Sequence, residues 1–201
     1  MNGTDASEEP MDIPALSHFM LITGGGDDEA EGLARDYGMQ VDVVIGPSHP
    51  RIRFITPLTQ HDLVKAASPT DAARSALRRR IDSSQAMEFV HCSYHIALRA
   101  ESVYAFGSFT SNYRQMEGDV GWTVQFAIQM QRPVFGFDLR THKWYRYNHG
   151  MRSFLYMGRG QCPLLREKSA IVGMKKRSAD AKELFQRTQQ RCNTSRHVRF
   201  S

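Results

Sequence analysis

The sequence predicts a three-layer α/β domain with a mostly parallel sheet, followed by a basic C-terminal extension. The chain of 201 residues is about the size of one such domain, and 41% hydrophobic residues suffice for a core. Strand-like and helix-like patterns alternate along it, which is typical of a sheet covered by helices on both faces. We therefore divide the chain into an acidic arm (1–17), a single globular domain (18–165) and a basic segment with a helix (166–201).

Apolar runs and alternating patterns predict the strands. HFMLIT (18–23) is almost continuously apolar, as expected of a strand buried on both faces of a parallel sheet. RIRFIT (51–56) alternates with a period of two and is either a short strand or a hairpin partner. The other predicted strands are VDVVI (41–45), SVYAFG (102–107), PVFGFD (133–138) and, as edge strands, HKWYRY (142–147) and SFLYMG (153–158).

Helical spacing and terminal signals predict the helices. After the first strand, Asp27, Asp28 and Glu29 form an acidic first turn, and Gly38 is a stop signal. A capping-type Ser-Pro-Thr-Asp begins a helical stretch at residue 68. The further helices are predicted within 68–100, which Ser83-Ser84 divides, within 117–131 and at 178–191.

The positive charge is concentrated near the C-terminus. Residues 166–201 contain ten Lys or Arg and three Asp or Glu, an excess of seven positive charges, whereas the whole chain carries only +5. Any binding of nucleic acid is therefore expected through this C-terminal tail, although a solvated chain end explains the same charge.

Several classes of protein are disfavoured by composition. No segment approaches the roughly 18 uninterrupted apolar residues of a membrane span, and the first residues are acidic rather than a basic leader. The three cysteines form no CxxC pair. We expect a soluble cytoplasmic protein with no membrane partner.

Two glycine-containing loops follow predicted strands and precede predicted helices. The first is Thr23-Gly24-Gly25-Gly26 and the second is Gly118-Asp119-Val120-Gly121. Ligands of parallel α/β sheets bind at the carboxyl ends of strands, where helix N-termini present N–H groups. Neither loop has a GxGxxG or GxxxxGK[ST] sequence, so each is either a ligand loop or a tight turn.

The two loops resemble those of the SLOG superfamily of Rossmann-like proteins. TGGGDDEAE is similar to the SGGAxGAD-type first loop, and AESVYAFG with EGDVGWTVQFAIQMQRPVFGFD is similar to the run containing ADxVYAVG, GGTGWAVxMA and KPVYVFD. The superfamily includes YspA-type proteins, DprA-like proteins and the LOG or "lysine decarboxylase-like" phosphoribohydrolases. The resemblance covers about residues 18 to 147 and, more weakly, AIVGMKKRSADAKELF (170–185). It implies a Rossmann-like fold with a nucleotide-derived ligand between the loops.

The resemblance also implies roles for individual residues. Gly24 and Gly25 would contact phosphate or ribose, and the loop Thr23-Gly24-Gly25-Gly26 would form one wall of the ligand site. Gly118, Gly121 and Thr123 would contact phosphate across the cleft.

The second loop departs from the phosphoribohydrolase pattern PGGxGTxxE. Gln125 stands in place of the glutamate, and an amide cannot act as a general base. Asp119 replaces a glycine and brings negative charge to a phosphate position. Glu117 and Asp119 remain candidate catalytic residues for other chemistry.

Some further residues have both a functional and a structural interpretation. Arg99 precedes the SVYAFG strand and is a candidate phosphate partner. Arg78-Arg79-Arg80 would point in three directions around a helix, so a solvated surface is favoured. Trp144 either stacks on a base or packs at the sheet edge. His91 and His95 are spaced as on one helical face, but no third ligand completes a metal site.

The preferred interpretation is a module that binds a nucleotide-related small molecule and carries no tightly bound cofactor. The alternative is an N-glycosidic-bond hydrolase or transferase acting on nucleosides or nucleotides. Binding of nucleic acid by the C-terminal tail is a further alternative, and the resemblance makes a homo-oligomer possible.

Overall fold

One mostly parallel sheet organises the computed structural model, which describes residues 16–24, 28–47, 58–174 and 179–197. Within these ranges seven strands lie in the order β2-β1-β7-β3-β4-β5-β6. Their bounds are β1 Met20–Thr23, β2 Gln40–Val43, β3 Ser102–Gly107, β4 Val134–Asp138, β5 Lys143–Asn148, β6 Ser153–Tyr156 and β7 Lys168–Val172. The predicted α/β class and mostly parallel sheet are confirmed.

The strand order places a topological switch near the middle of the sheet. Strands β2, β1, β7, β3 and β4 are parallel, whereas β5 and β6 extend the sheet as antiparallel neighbours. From β1 the chain moves outward to β2, then crosses over to β3 on the other side. Strand β7 fills the place between β1 and β3. Crevices at such switch points are the usual ligand sites of open α/β sheets.

Five helices over the described ranges cover the two faces of the sheet. Their bounds are α1 Asp28–Asp36, α2 Gln60–Leu77, α3 Ser84–Arg99, α4 Val120–Gln129 and α5 Ala179–His197. Helices α2, α3 and α4 contribute to one apolar core, and α1 and α5 contribute to the other. The structure therefore has the three layers of a Rossmann-like fold.

Alternation along the buried strands separates the two cores. Leu21 packs on the side of α1 and α5, whereas the next residue, Ile22, packs on the side of α3. In β3, Tyr104 and Phe106 face α5 and Val103 and Ala105 face α4. Both faces of these strands are buried, which explains why their sequences are apolar throughout rather than alternating.

Helix α2 begins earlier than predicted. It starts at Gln60 rather than near residue 68, because Thr59 and Asp62 form a reciprocal capping box. Pro69 then lies inside the helix and not at its start. The break before α3 is where the sequence placed it, with Ser83 as the N-cap residue of α3.

The C-terminal segment is part of the domain. It supplies β7, a strand that the sequence analysis missed, and α5, whose Ala181, Leu184 and Phe185 are buried against the sheet. Removal of residues 166–201 would therefore take out a central strand. The predicted strand at 51–56 and nearly all of the acidic arm lie outside the described residues.

None of the helices in the described part of the chain is long and apolar enough to cross a membrane.

Candidate functional site

A cavity of about 680 Å³ lies at the carboxyl ends of the central parallel strands. Gly24 after β1, Gly173 after β7, Ser108 after β3 and Leu139 after β4 all line it. Helix α3 covers one side, and the start of α4 covers another. Its size lies within the range of small-molecule sites, about 300 to 1,000 Å³.

The second glycine loop reaches the cavity after a short hydrogen-bonded loop that follows β3. Phe109 and Met116 form an antiparallel bridge, and the Glu117 N–H donates to the Ser108 carbonyl over 2.9 Å. The loop then turns at Gly118, whose φ of +65° lies in the left-handed region that favours glycine. Glu117, Gly118 and Asp119 consequently line the cavity.

Arg79 binds the backbone of this loop. Its guanidinium donates to the Gly118 carbonyl at 2.5 Å and to the Met116 carbonyl at 3.3 Å. The expectation that Arg78-Arg79-Arg80 continue a solvated helix is wrong, because α2 ends at Leu77 and Arg78 adopts a left-handed conformation. The chain reversal there directs Arg79 towards the loop.

Gly121, for which the resemblance implies a contact with phosphate, packs closely against the backbone of the loop. A Cβ at this position would lie 2.5 Å from the Met116 carbonyl oxygen and 3.1 Å from the Arg79 guanidinium. Gly121 does not line the cavity. Its lack of a side chain allows α4 to approach the backbone that Arg79 also binds, so its role is in packing.

The polar groups at the start of α4 face the cavity without protein partners. Asp119 is the N-cap residue, but its side chain makes no capping hydrogen bond. Thr123 is only 3% exposed and lines the cavity, and no described residue hydrogen-bonds its hydroxyl. No ion pair or hydrogen bond within the described ranges involves the exposed Glu117 carboxylate. These groups are available to a ligand.

The first glycine loop contributes Gly24 to the same cavity. Thr23, at the end of β1, is fully buried, and its hydroxyl has no partner among the described residues. It does not line the cavity. Gly25 and Gly26 lie outside the described residues.

Other polar and aromatic side chains lie elsewhere. Arg99 is at the C-terminal end of α3, away from the cavity, and pairs with Asp42 of β2 at 3.0 Å. Asp138 is buried and accepts from the Arg140 N–H and the Thr141 hydroxyl, which closes the turn after β4. Trp144 is buried against Phe106 and Phe137 and so packs in the core rather than stacking on a ligand.

One of the two histidine candidates on α3 has a hydrogen-bond partner, and the neighbouring Cys92 is buried. The ring Nε2 of His95 lies 2.9 Å from the Asp62 carbonyl oxygen. Burial, and secondarily His95, lowers the pKa of His91, while burial raises the pKa of Cys92 to about 11. A thiol with so high a pKa is a weak nucleophile at neutral pH. Among the described residues no three His, Cys, Asp or Glu side chains are grouped to hold a metal ion.

The sequence analysis missed several residues of the cavity. Phe89, Ser93 and Ile96 reach it from α3, and they share one face of that helix at spacings of three and four. This periodicity was visible but resembles that of any core-facing helix. Gly173 was missed because β7 was not predicted.

No family model, curated protein or solved structure matches this chain. The resemblance to the SLOG superfamily therefore rests on the two loop motifs alone.

Proposed function

We propose that this protein is a divergent SLOG-type binding module that holds a nucleotide-related small molecule between the loops after β1 and β3. The observation that carries the proposal is the shared cavity, which Gly24 lines from one loop and Gly118, Asp119 and Thr123 line from the other. The cavity lies at the topological switch of the sheet, where α/β proteins of many kinds bind such molecules. Fold analogy alone would not identify the ligand class.

The chemistry of the walls suits a molecule with a flat apolar part and a polar part. The exposed side chains of Phe89 and Leu139 offer apolar surface for a base. The polar groups of Asp119 and Thr123 also line the cavity and are available for hydrogen bonds to a sugar. A nucleoside or nucleotide combines these two halves.

The test is a thermal-shift panel of nucleosides, nucleotides and nucleotide sugars with the full chain. A ligand at one hundred times its Kd adds about 2.7 kcal/mol to stability, which corresponds to roughly 5 to 10 °C in Tm for a domain of this size. Ser108→Trp should abolish the shift because Ser108 is exposed and lines the cavity. Ser111→Trp is the matched control, since Ser111 is exposed in the same loop but outside the cavity. Folded protein that responds to no member of the panel would contradict the proposal.

A second candidate is an enzyme that cleaves or transfers at an N-glycosidic bond. Glu117 and Asp119 favour it because both carboxylates line the cavity without described partners. A carboxylate can serve as a base or stabilise a developing oxocarbenium charge. Release of free base from nucleosides or their monophosphates, lost in Glu117→Gln or Asp119→Asn, would support this function over simple binding.

A further inference from the structure

The charge of the cavity distinguishes between the molecules that the proposed function allows. Two carboxylates, Glu117 and Asp119, line it, and no Lys or Arg side chain lines it in the described part of the chain. The N-terminal end of α4 offers a partial positive charge of about one half. Two full negative charges outweigh this contribution.

The described cations beside the cavity loops are already engaged. Arg79 reaches the second loop, but its guanidinium donates to the carbonyls of Gly118 and Met116. A guanidinium bound in this way holds the backbone in place and does not face the cavity. Arg140, which follows the cavity residue Leu139, directs its guanidinium to the Tyr113 hydroxyl at 3.5 Å.

Thr123 gives an independent indication of a ligand. Its side chain is almost fully buried, lines the cavity and has no hydrogen-bond partner among the described residues. The hydroxyl is not among the fully buried polar atoms that lack a partner, so it opens to the cavity and is available to a polar occupant. A ribose hydroxyl can donate to the carboxylates and accept from Thr123, whereas a phosphate group at the same place is mostly dianionic at neutral pH and is repelled by Glu117 and Asp119.

We infer that the cavity selects an uncharged nucleoside over its 5′-phosphorylated form, with the ribose hydroxyls directed to Glu117, Asp119 and Thr123. The inference rests on the proposed function and narrows its ligand class. The base then lies against the exposed apolar side chains of Phe89 and Leu139.

The test is isothermal titration of the full chain with adenosine, guanosine, cytidine and uridine and with their 5′-monophosphates at low ionic strength. We expect at least one nucleoside to bind at least ten-fold more tightly than its monophosphate. The Glu117→Gln, Asp119→Asn double variant should reduce this ratio to about three-fold or less, because neutral amides no longer repel the phosphate. Thr123→Val should weaken nucleoside binding about five-fold at unchanged Tm, and Thr123→Ser should restore it.

The possible failures are distinguishable. Monophosphates that bind as tightly as nucleosides, or more tightly, would overturn the selectivity and leave the proposed function standing. A ratio that persists in the double variant would overturn the role of the carboxylates. Absence of binding by every nucleoside and every monophosphate would overturn both proposals.

Discussion

Two sets of polar groups, one at each edge of the parallel sheet, differ in whether they have protein partners. At the edge where the parallel strands begin, here the amino edge, the polar side chains are paired within the protein. The Tyr104 hydroxyl donates to the Leu164 carbonyl, and the Ser169 hydroxyl both accepts from and donates to the backbone of Arg166. At the edge where these strands end, here the carboxyl edge, Thr123 and Asp119 line a cavity without such partners.

This difference distinguishes polar groups that stabilise the fold from polar groups that are available to bind a ligand. A buried polar group that has a protein partner stabilises the fold, and its presence needs no ligand. Polar groups around a cavity that have no protein partner are available to a ligand. The contrast therefore indicates that a ligand binds at the carboxyl edge. Substitutions at the amino edge should change stability alone, whereas substitutions at the carboxyl edge should also change ligand binding.

The largest effect is expected at Gly173, where the carboxyl edge is packed most closely. Its φ is +79°, and a Cβ would lie 2.3 Å from the Phe106 carbonyl oxygen. Gly173→Ala should therefore lower the free energy of unfolding by roughly 3 kcal/mol through backbone strain and overpacking. Urea denaturation measures this loss, and Gly150→Ala in an exposed turn is the control, expected to change stability by about 0.5 kcal/mol or less. A loss at Gly173 no larger than that of the control would contradict the close approach.

A smaller effect is expected from Arg79→Ala. The substitution removes the donor of two hydrogen bonds to the Gly118 and Met116 carbonyls, so stability should fall by about 2 kcal/mol. Because these carbonyls shape the cavity loop, any nucleoside-induced thermal shift should shrink as well. Arg80→Ala, which alters an exposed neighbour, should change neither quantity. If Arg79→Ala destabilised the protein but left the ligand-induced thermal shift unchanged, Arg79 would stabilise the fold without shaping the ligand site.

The sequence predicted the central strands and their loops because local patterns determine them. The apolar run SVYAFG was predicted as a strand at 102–107, and β3 spans the same residues. The strand-to-helix order then placed both glycine loops at the carboxyl ends of strands. The structure brings Gly24 and Gly118 to one cavity.

The contacts that shape the cavity could not be read from local patterns. Arg79 and Gly118 are 39 residues apart, and their contact depends on how the end of α2 packs beside the second loop. Strand β7 is only five residues long and begins with Lys168, so the basic composition of its surroundings concealed it. Only its pairing with both β1 and β3 identifies it as a central strand.

At the amino edge, Tyr104→Phe should affect stability alone. The Tyr104 side chain is fully buried, and its hydroxyl also accepts from Ser102. Removal of the hydroxyl leaves the Leu164 carbonyl without this donor, so we expect a loss of about 1.5 kcal/mol. Tyr156→Phe, at an exposed tyrosine of β6, should be nearly neutral. A change in nucleoside affinity caused by Tyr104→Phe would contradict the claim that this polar group at the amino edge affects stability alone.

The smallest effect is expected from the pair of Arg99 and Asp42. Their side chains are 40% and 33% exposed, so solvent screens the attraction across the 3.0 Å contact. A double-mutant cycle with Arg99→Ala and Asp42→Ala should give a coupling energy below about 1 kcal/mol, further reduced in 1 M salt. Arg99→Ala should also leave nucleoside binding unchanged, because the guanidinium pairs with Asp42 and does not line the cavity. Weaker binding of a monophosphate in Arg99→Ala would instead restore the phosphate role that the sequence predicted for this residue, and it would show that a polar group with a protein partner can also take part in ligand binding.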